Sequence, residues 1–81
     1  MESTDFAWAL RQVKSGCMIY RNGWNGPKQW VAMQTPDANS KMGLPYLYIK
    51  TVQGKLVPWH ASQTDILADD WRVVTGDGST N

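Results

Sequence analysis

One fifteen-residue stretch, V-P-W-H-A-S-Q-T-D-I-L-A-D-D-W at 57–71, leaves the chain few ways to fold. Pro58 fixes its own φ and drives Val57 into an extended conformation. Trp59 follows on this stiff backbone. Ser62 and Asp65 stand three apart, the spacing of a capping box, in which a hydroxyl accepts from a free N–H of the first helical turn. Asp65 suits the positive end of that helix. Ile66 and Leu67 then give the helix an apolar side to bury. Trp71, Val73 and Val74 read as a closing extended segment. The expectation is a strand, a capped helical turn and a last strand.

Upstream, residues 4 to 15 read as a helix. Thr4 or Asp5 caps it, and Phe6, Leu10 and Val13 recur at helical spacing with Ala9 beside them. Arg11, Gln12 and Lys14 face water. Gly16 stands where a C-terminal cap belongs. Trp8 lies off the stripe, either at the edge of a wide apolar face or against another subunit. Cys17 to Arg21 is a short extended run. R-N-G-W-N-G-P then sets Trp24 between two Asn-Gly pairs, which favour tight turns because both residues tolerate positive φ. From the residues alone, Trp24 is either folded onto the core or a stacking platform for a planar ligand.

Gln29 to Gln34 reads as a strand, and Thr35 to Pro45 as a surface loop. In Tyr46 to Val52, alternation puts Leu47, Ile49 and Thr51 on one face, and Tyr46, Tyr48, Lys50 and Val52 on the other. Q-G-K makes a tight turn, and Leu56 to Trp59 returns as the hairpin partner. Short turns between strands imply a mainly antiparallel sheet. The fold class is α+β: an N-terminal helix packed on a small antiparallel sheet, with a short helical turn before the last strand. A single domain spans 1–81, with an ordered core of about 4–74 and a polar tail at 75–81.

A chain of 81 residues buries only about 60% of its unfolded surface, so partner subunits would add needed burial. Five Trp is heavy usage at this length; Trp30 and Trp71 read mainly as packing, whereas Trp59 stays open. A net charge of +1 with no Lys/Arg run argues against a general nucleic-acid binder, DNA included. The single Cys17 rules out an internal disulfide and fits a reducing compartment. No apolar run approaches the roughly 20 residues that span a bilayer, and the acidic start M-E-S-T-D lacks the apolar core of a signal peptide. A soluble cytosolic protein without membrane association is expected.

Enzyme chemistry has little to stand on. His60 is the only histidine, remote in sequence from Cys17 and oriented by nothing. Asp65, Asp69 and Asp70 do not make a recognised metal loop, and Asp69-Asp70 reads as a solvated turn. G-W-N-G is neither a P-loop nor a dinucleotide fingerprint. No catalysis, metal or cofactor is expected. Ligand binding fits better. Trp and Tyr rings stack on bases, at roughly 1–3 kcal/mol each. Asn25, Ser62, Gln63 and Asp65 can read polar edges and ribose hydroxyls. The start of the Ser62 helix can face a phosphate, and Arg21 and Lys50 can neutralise one. This set suits a small nucleotide better than a polymer, and suits a peptide or sugar nearly as well.

Three motifs narrow the choice: G-W-N-G at 23–26, Y-I-K-T-x-x-G-x-L-V-P-W at 48–59 and A-S-Q-T-D-I-L-A-D-D-W at 61–71. Together with the helix ending at Gly16, they resemble a family of small phage proteins, the second type of Thoeris anti-defence protein. The resemblance covers most of residues 5 to 74 and leaves out the 35–45 segment. It implies a non-enzymatic sponge that holds the immune signal glycocyclic ADP-ribose, in the cytoplasm of the infected bacterium. Members form homotetramers with ligand pockets at subunit boundaries, and some hold cyclic di- or trinucleotides at a separate site. By resemblance, Trp24, Asn25 and the Ser62–Asp65 cluster line the pocket. Trp24 would stack on adenine. Asn25, Gln63 and Asp65 would bond hydroxyls or the purine edge, and Ser62 and Thr64 would address phosphates beside Arg21 or Lys50. Trp59 and Tyr48 complete the candidate set. Two other classes stay open: an inhibitor that binds a host defence protein directly, and an enzyme that cleaves the signal.

Overall fold

The computed structural model describes residues 3–24, 28–39 and 43–74. The first helix, α1 (Phe6–Lys14), is capped by Asp5, whose carboxylate accepts from the Trp8 N–H at 3.0 Å. Ala9 and Val13 of its apolar stripe are fully buried. The helix stops in a Schellman arrangement: the Cys17 N–H reaches the Gln12 carbonyl at 3.0 Å, and the Gly16 N–H reaches that of Val13 at 3.1 Å. Gly16 lies at φ +106°, a conformation that a side chain disfavours.

Five strands follow: β1 (Ile19–Arg21), β2 (Trp30–Gln34), β3 (Tyr46–Lys50), β4 (Leu56–Pro58) and, after α2 (Gln63–Leu67), β5 (Trp71–Val73). They form one antiparallel sheet in the order β4-β3-β2-β1-β5. This is the α+β fold that the sequence predicts. The strands are shorter than expected, and Cys17, Met18 and Gln29 lie outside them. Residues 51–55 turn the β3–β4 hairpin, with the Thr51 N–H on the Lys55 carbonyl at 2.8 Å and Gly54 at φ +84°.

The alternation read in β3 holds. Leu47 and Ile49 pack towards the core opposite Met33 and Val31. Tyr48 and Lys50 therefore point to the other face, as Trp30 does. There Tyr48 meets Trp30 edge-on at 6.0 Å, and the Lys50 ammonium lies 6.0 Å from the Trp30 ring centre. The core is the helix-bearing face of the sheet. Ala9, Val13, Ile19, Val31 and Trp71 are its fully buried members, with Phe6, Trp8 and Trp59 packed at its margin. Trp8 lies at the edge of the helix's apolar face, packed against this core.

β4 and β5 lie on opposite edges of the sheet, so residues 59–70 cross between them. They cross on the helix side: Trp59 packs 6.2 Å from Phe6 and 6.0 Å from Trp71, and α2 touches α1. This crossing brings the S-Q-T-D segment next to the end of β1. No helix among the described residues is long and apolar enough to cross a membrane.

Candidate functional site

The local chemistry of α2 is that of the expected capping box. The Ser62 hydroxyl accepts from the Asp65 N–H at 3.1 Å, and the Asp65 carboxylate accepts from the Ser62 N–H at 3.3 Å. The expectation that Ile66 and Leu67 are buried by this helix is not met. They are 46% and 81% exposed, and no residue of α2 is buried. Five residues make barely one and a half turns, so a single side faces inward. Asp65 takes that side and draws its stability from polar partners rather than from apolar area.

Those partners converge from three elements. Asp65 Oδ1 accepts from Arg21 Nη1 at 3.1 Å and from the Trp24 indole N–H at 3.3 Å. The Trp71 indole donates to the Asp65 carbonyl at 3.1 Å. Arg21 also donates through Nε to Asp70 Oδ1 at 2.8 Å, and Asp70 Oδ2 accepts from the Gly23 N–H at 2.8 Å. The Asn22 N–H binds the Asp70 carbonyl at 3.0 Å. Asp70 is therefore an ion-paired anchor and not a solvated turn. Sequence reading missed it because its partner Arg21 is 49 positions away.

The side chains of Arg21, Asp65 and Asp70 are 16%, 14% and 29% exposed. Burial works against ionisation of Asp65, but hydrogen bonds from Arg21, Trp24 and Ser62 outweigh it and hold the carboxyl below the usual carboxylate range. The Arg21 guanidinium does the same for Asp70, against burial and with help from the Gly23 N–H. Asp70, ahead of Asp65, in turn raises Arg21 despite its desolvation. At neutral pH the cluster thus carries two carboxylates and one guanidinium. It favours hydroxyls and amino edges over a phosphate.

Trp24 is half-buried, edge-to-face with Trp71 at 5.5 Å. Of the two readings open at the sequence level, the packing of Trp24 against the core is seen, and its indole N–H reaches the polar cluster. Asn25 lies outside the described residues. Gln63 and Thr64 are exposed on α2, adjacent to Asp65. Trp59 is half-buried, edge-to-face with Trp71 at 6.0 Å. Lys50 and Tyr48 are not brought to the cluster. They lie on β3, on the opposite face, where Tyr48 lines a shallow groove of about 160 Å3 with Gln34, Tyr46, Leu56, Val57 and Pro58. Among the described residues, no group of three or more His, Cys, Asp or Glu could hold a metal ion.

Two of the three motifs that carried the family resemblance meet here, through Gly23 and Trp24 of G-W-N-G and through Ser62, Asp65 and Asp70 of A-S-Q-T-D-I-L-A-D-D-W. The model of the Thoeris anti-defense 2-like domain matches residues 4–74. Thoeris anti-defense 2 of Bacillus phage SP01 is 35% identical over 83 aligned positions, covering 86% of this chain and 93% of that protein. On both grounds the chain belongs to the Thoeris anti-defense 2-like family.

Proposed function

We propose that this protein counters Thoeris defence in the cytoplasm of an infected bacterium as a sponge, binding glycocyclic ADP-ribose and withholding it without cleaving it. Beyond family membership, the observation that carries this reading is the bond between the Trp24 indole and Asp65. It joins G-W-N-G and S-Q-T-D, 41 positions apart, in one patch. An aromatic ring beside carboxylate, amide and hydroxyl groups complements a purine and its riboses.

The negative balance of Arg21, Asp65 and Asp70 directs the ligand's pyrophosphate away from the cluster. Lys50 and Tyr48, on the opposite face of the sheet, then contribute from a neighbouring subunit. This accords with a homotetramer whose pockets lie at subunit boundaries. Exposed Leu44, Leu56 and Leu67 suit burial between copies. Nanomolar capture corresponds to about −12 kcal/mol, which a pocket closed by two subunits supplies more readily than one open surface. Cyclic di- or trinucleotides are further candidates, at a separate site. The same exposed leucines give some support to the other reading, direct inhibition of a host defence protein.

Calorimetric titration with glycocyclic ADP-ribose, then heat release and chromatography, tests the proposal. Intact ligand should be recovered. Cleaved ligand would make the protein an enzyme, and absence of binding would favour a host-protein target. Trp24→Ala should abolish capture while costing about 1–2 kcal/mol of stability through lost contact with Trp71. Unchanged affinity in that variant would remove Trp24 from the site.

A further inference from the structure

Asp70 has no part in the ligand set just proposed, yet its contacts go to the loop that carries that set. Its carbonyl accepts from Asn22, its Oδ2 from the Gly23 N–H, and its Oδ1 from Arg21 Nε. Arg21 passes the constraint on, because its Nη1 holds the same Asp65 oxygen that receives the Trp24 indole. Two consecutive backbone N–H groups and one guanidinium are thus fixed by one residue at the entrance to β5.

Gly23 supplies an independent observation. Its φ lies outside the left-handed region, so its backbone does not demand glycine. What demands it is space: a Cβ there would lie 2.8 Å from Asp70 Oδ2. A short side chain already pinned by Arg21 at 2.8 Å yields to such a Cβ only by giving up its bonds. The first glycine of G-W-N-G and the last acid of A-D-D-W therefore fit each other, across 47 positions.

We infer that Asp70 is the positioning residue of the Trp24 loop: it sets the indole for ligand contact without itself touching ligand. This rests on the sponge reading for its functional consequence, but the positioning has its own readout. Trp24 and Trp71 form an edge-to-face pair, and their near-ultraviolet circular dichroism reports their mutual angle. Trp24→Phe supplies the spectrum without that pair.

The test is Asp70→Asn in the full chain. The amide keeps the size of the carboxylate but cannot accept from both Arg21 and Gly23, because one of its ends is a donor. The near-ultraviolet spectrum should move towards that of Trp24→Phe while the far-ultraviolet spectrum stays native. Affinity for glycocyclic ADP-ribose should fall about tenfold or more, as expected when a supporting residue is lost. Gly23→Ala should do the same from the loop side. In an Asp70→Ala background, Gly23→Ala should have no further effect on the spectrum, since the carboxylate it collides with is gone.

Native near-ultraviolet spectra and native affinity in Asp70→Asn would overturn the inference, as would full additivity of the two alanine substitutions. If Asp70→Asn does not fold, Gly23→Ala and the double variant decide by the same criteria. If the wild-type protein binds no glycocyclic ADP-ribose, the sponge reading fails, and the spectra and the Gly23–Asp70 coupling still judge the positioning.

Discussion

Asp65 is engaged through its side chain and its backbone at once. One carboxylate serves Arg21, Trp24 and the Ser62 N–H, while its backbone N–H and carbonyl serve Ser62 and Trp71. Asp65→Asn leaves Arg21 facing only Asp70 and sets an amide donor against N–H groups. The expected cost is about 1–3 kcal/mol, the scale of hydrogen bonds to charged groups. Urea titration measures it, and a loss below roughly 0.5 kcal/mol would mean that solvent replaces these bonds freely. Part of this was legible in the sequence. Ser62 and Asp65 declare the cap by spacing alone, because capping is local. The bonds to Arg21 and Trp24 were not legible, because they form only when the crossing from β4 to β5 lays α2 beside β1. Asp70 was misread for the same reason.

Element by element, legibility follows how locally each one is determined. The stripe of α1, its Asp5 cap and its Gly16 stop are all encoded within a dozen residues, and the helix forms as expected. The alternation of β3 is equally plain and assigns its two faces correctly. The orientation of α2 was not readable, since Ile66 and Leu67 mark an apolar side only if there is room beneath it, and Asp65 occupies that room. Ser62→Ala should cost about 1 kcal/mol through the lost cap, seen as a lower urea midpoint at unchanged slope. A midpoint unchanged within error would mean that water caps α2 as well as Ser62 does. Gly16→Ala should cost about 1–2 kcal/mol, because alanine must adopt the left-handed conformation that ends α1. An unchanged midpoint there would show that α1 can end in another way.

The whole molecule has a small core and a charged cluster that ties β1 to α2 and to the entrance of β5, which gives its stability a definite pH dependence. Both Asp65 and Asp70 have folded pKa values below those of the unfolded chain. Their contribution is fully present above the unfolded value of about 3.9 and is lost as the pH falls through the lower folded values. Thermal midpoints should therefore hold between pH 7 and pH 5 and drop below about pH 4. Asp70→Asn should flatten that acid limb, and an equally steep limb in the variant would place the acid-sensitive groups elsewhere. Sedimentation equilibrium should find an assembly larger than one chain, weakened by Leu67→Glu. A monomer at micromolar concentration would turn the exposed leucines towards a host partner.

Trp71 touches Phe6 of α1, Trp24 of the loop and Trp59 of the crossing, and its indole N–H holds α2. A chain this short has used one ring both as the centre of its interior and as the backing of its candidate ligand surface. Under the proposed function, adaptation to a differently shaped signal is never a purely superficial event. A change that retilts Trp24 is felt by the ring that holds the helix on the sheet, so ligand range and thermal endurance drift together. Lineages that shift their ligand should carry their compensating changes at Phe6 and Trp59, inside the molecule, rather than on the loop where the novelty is displayed.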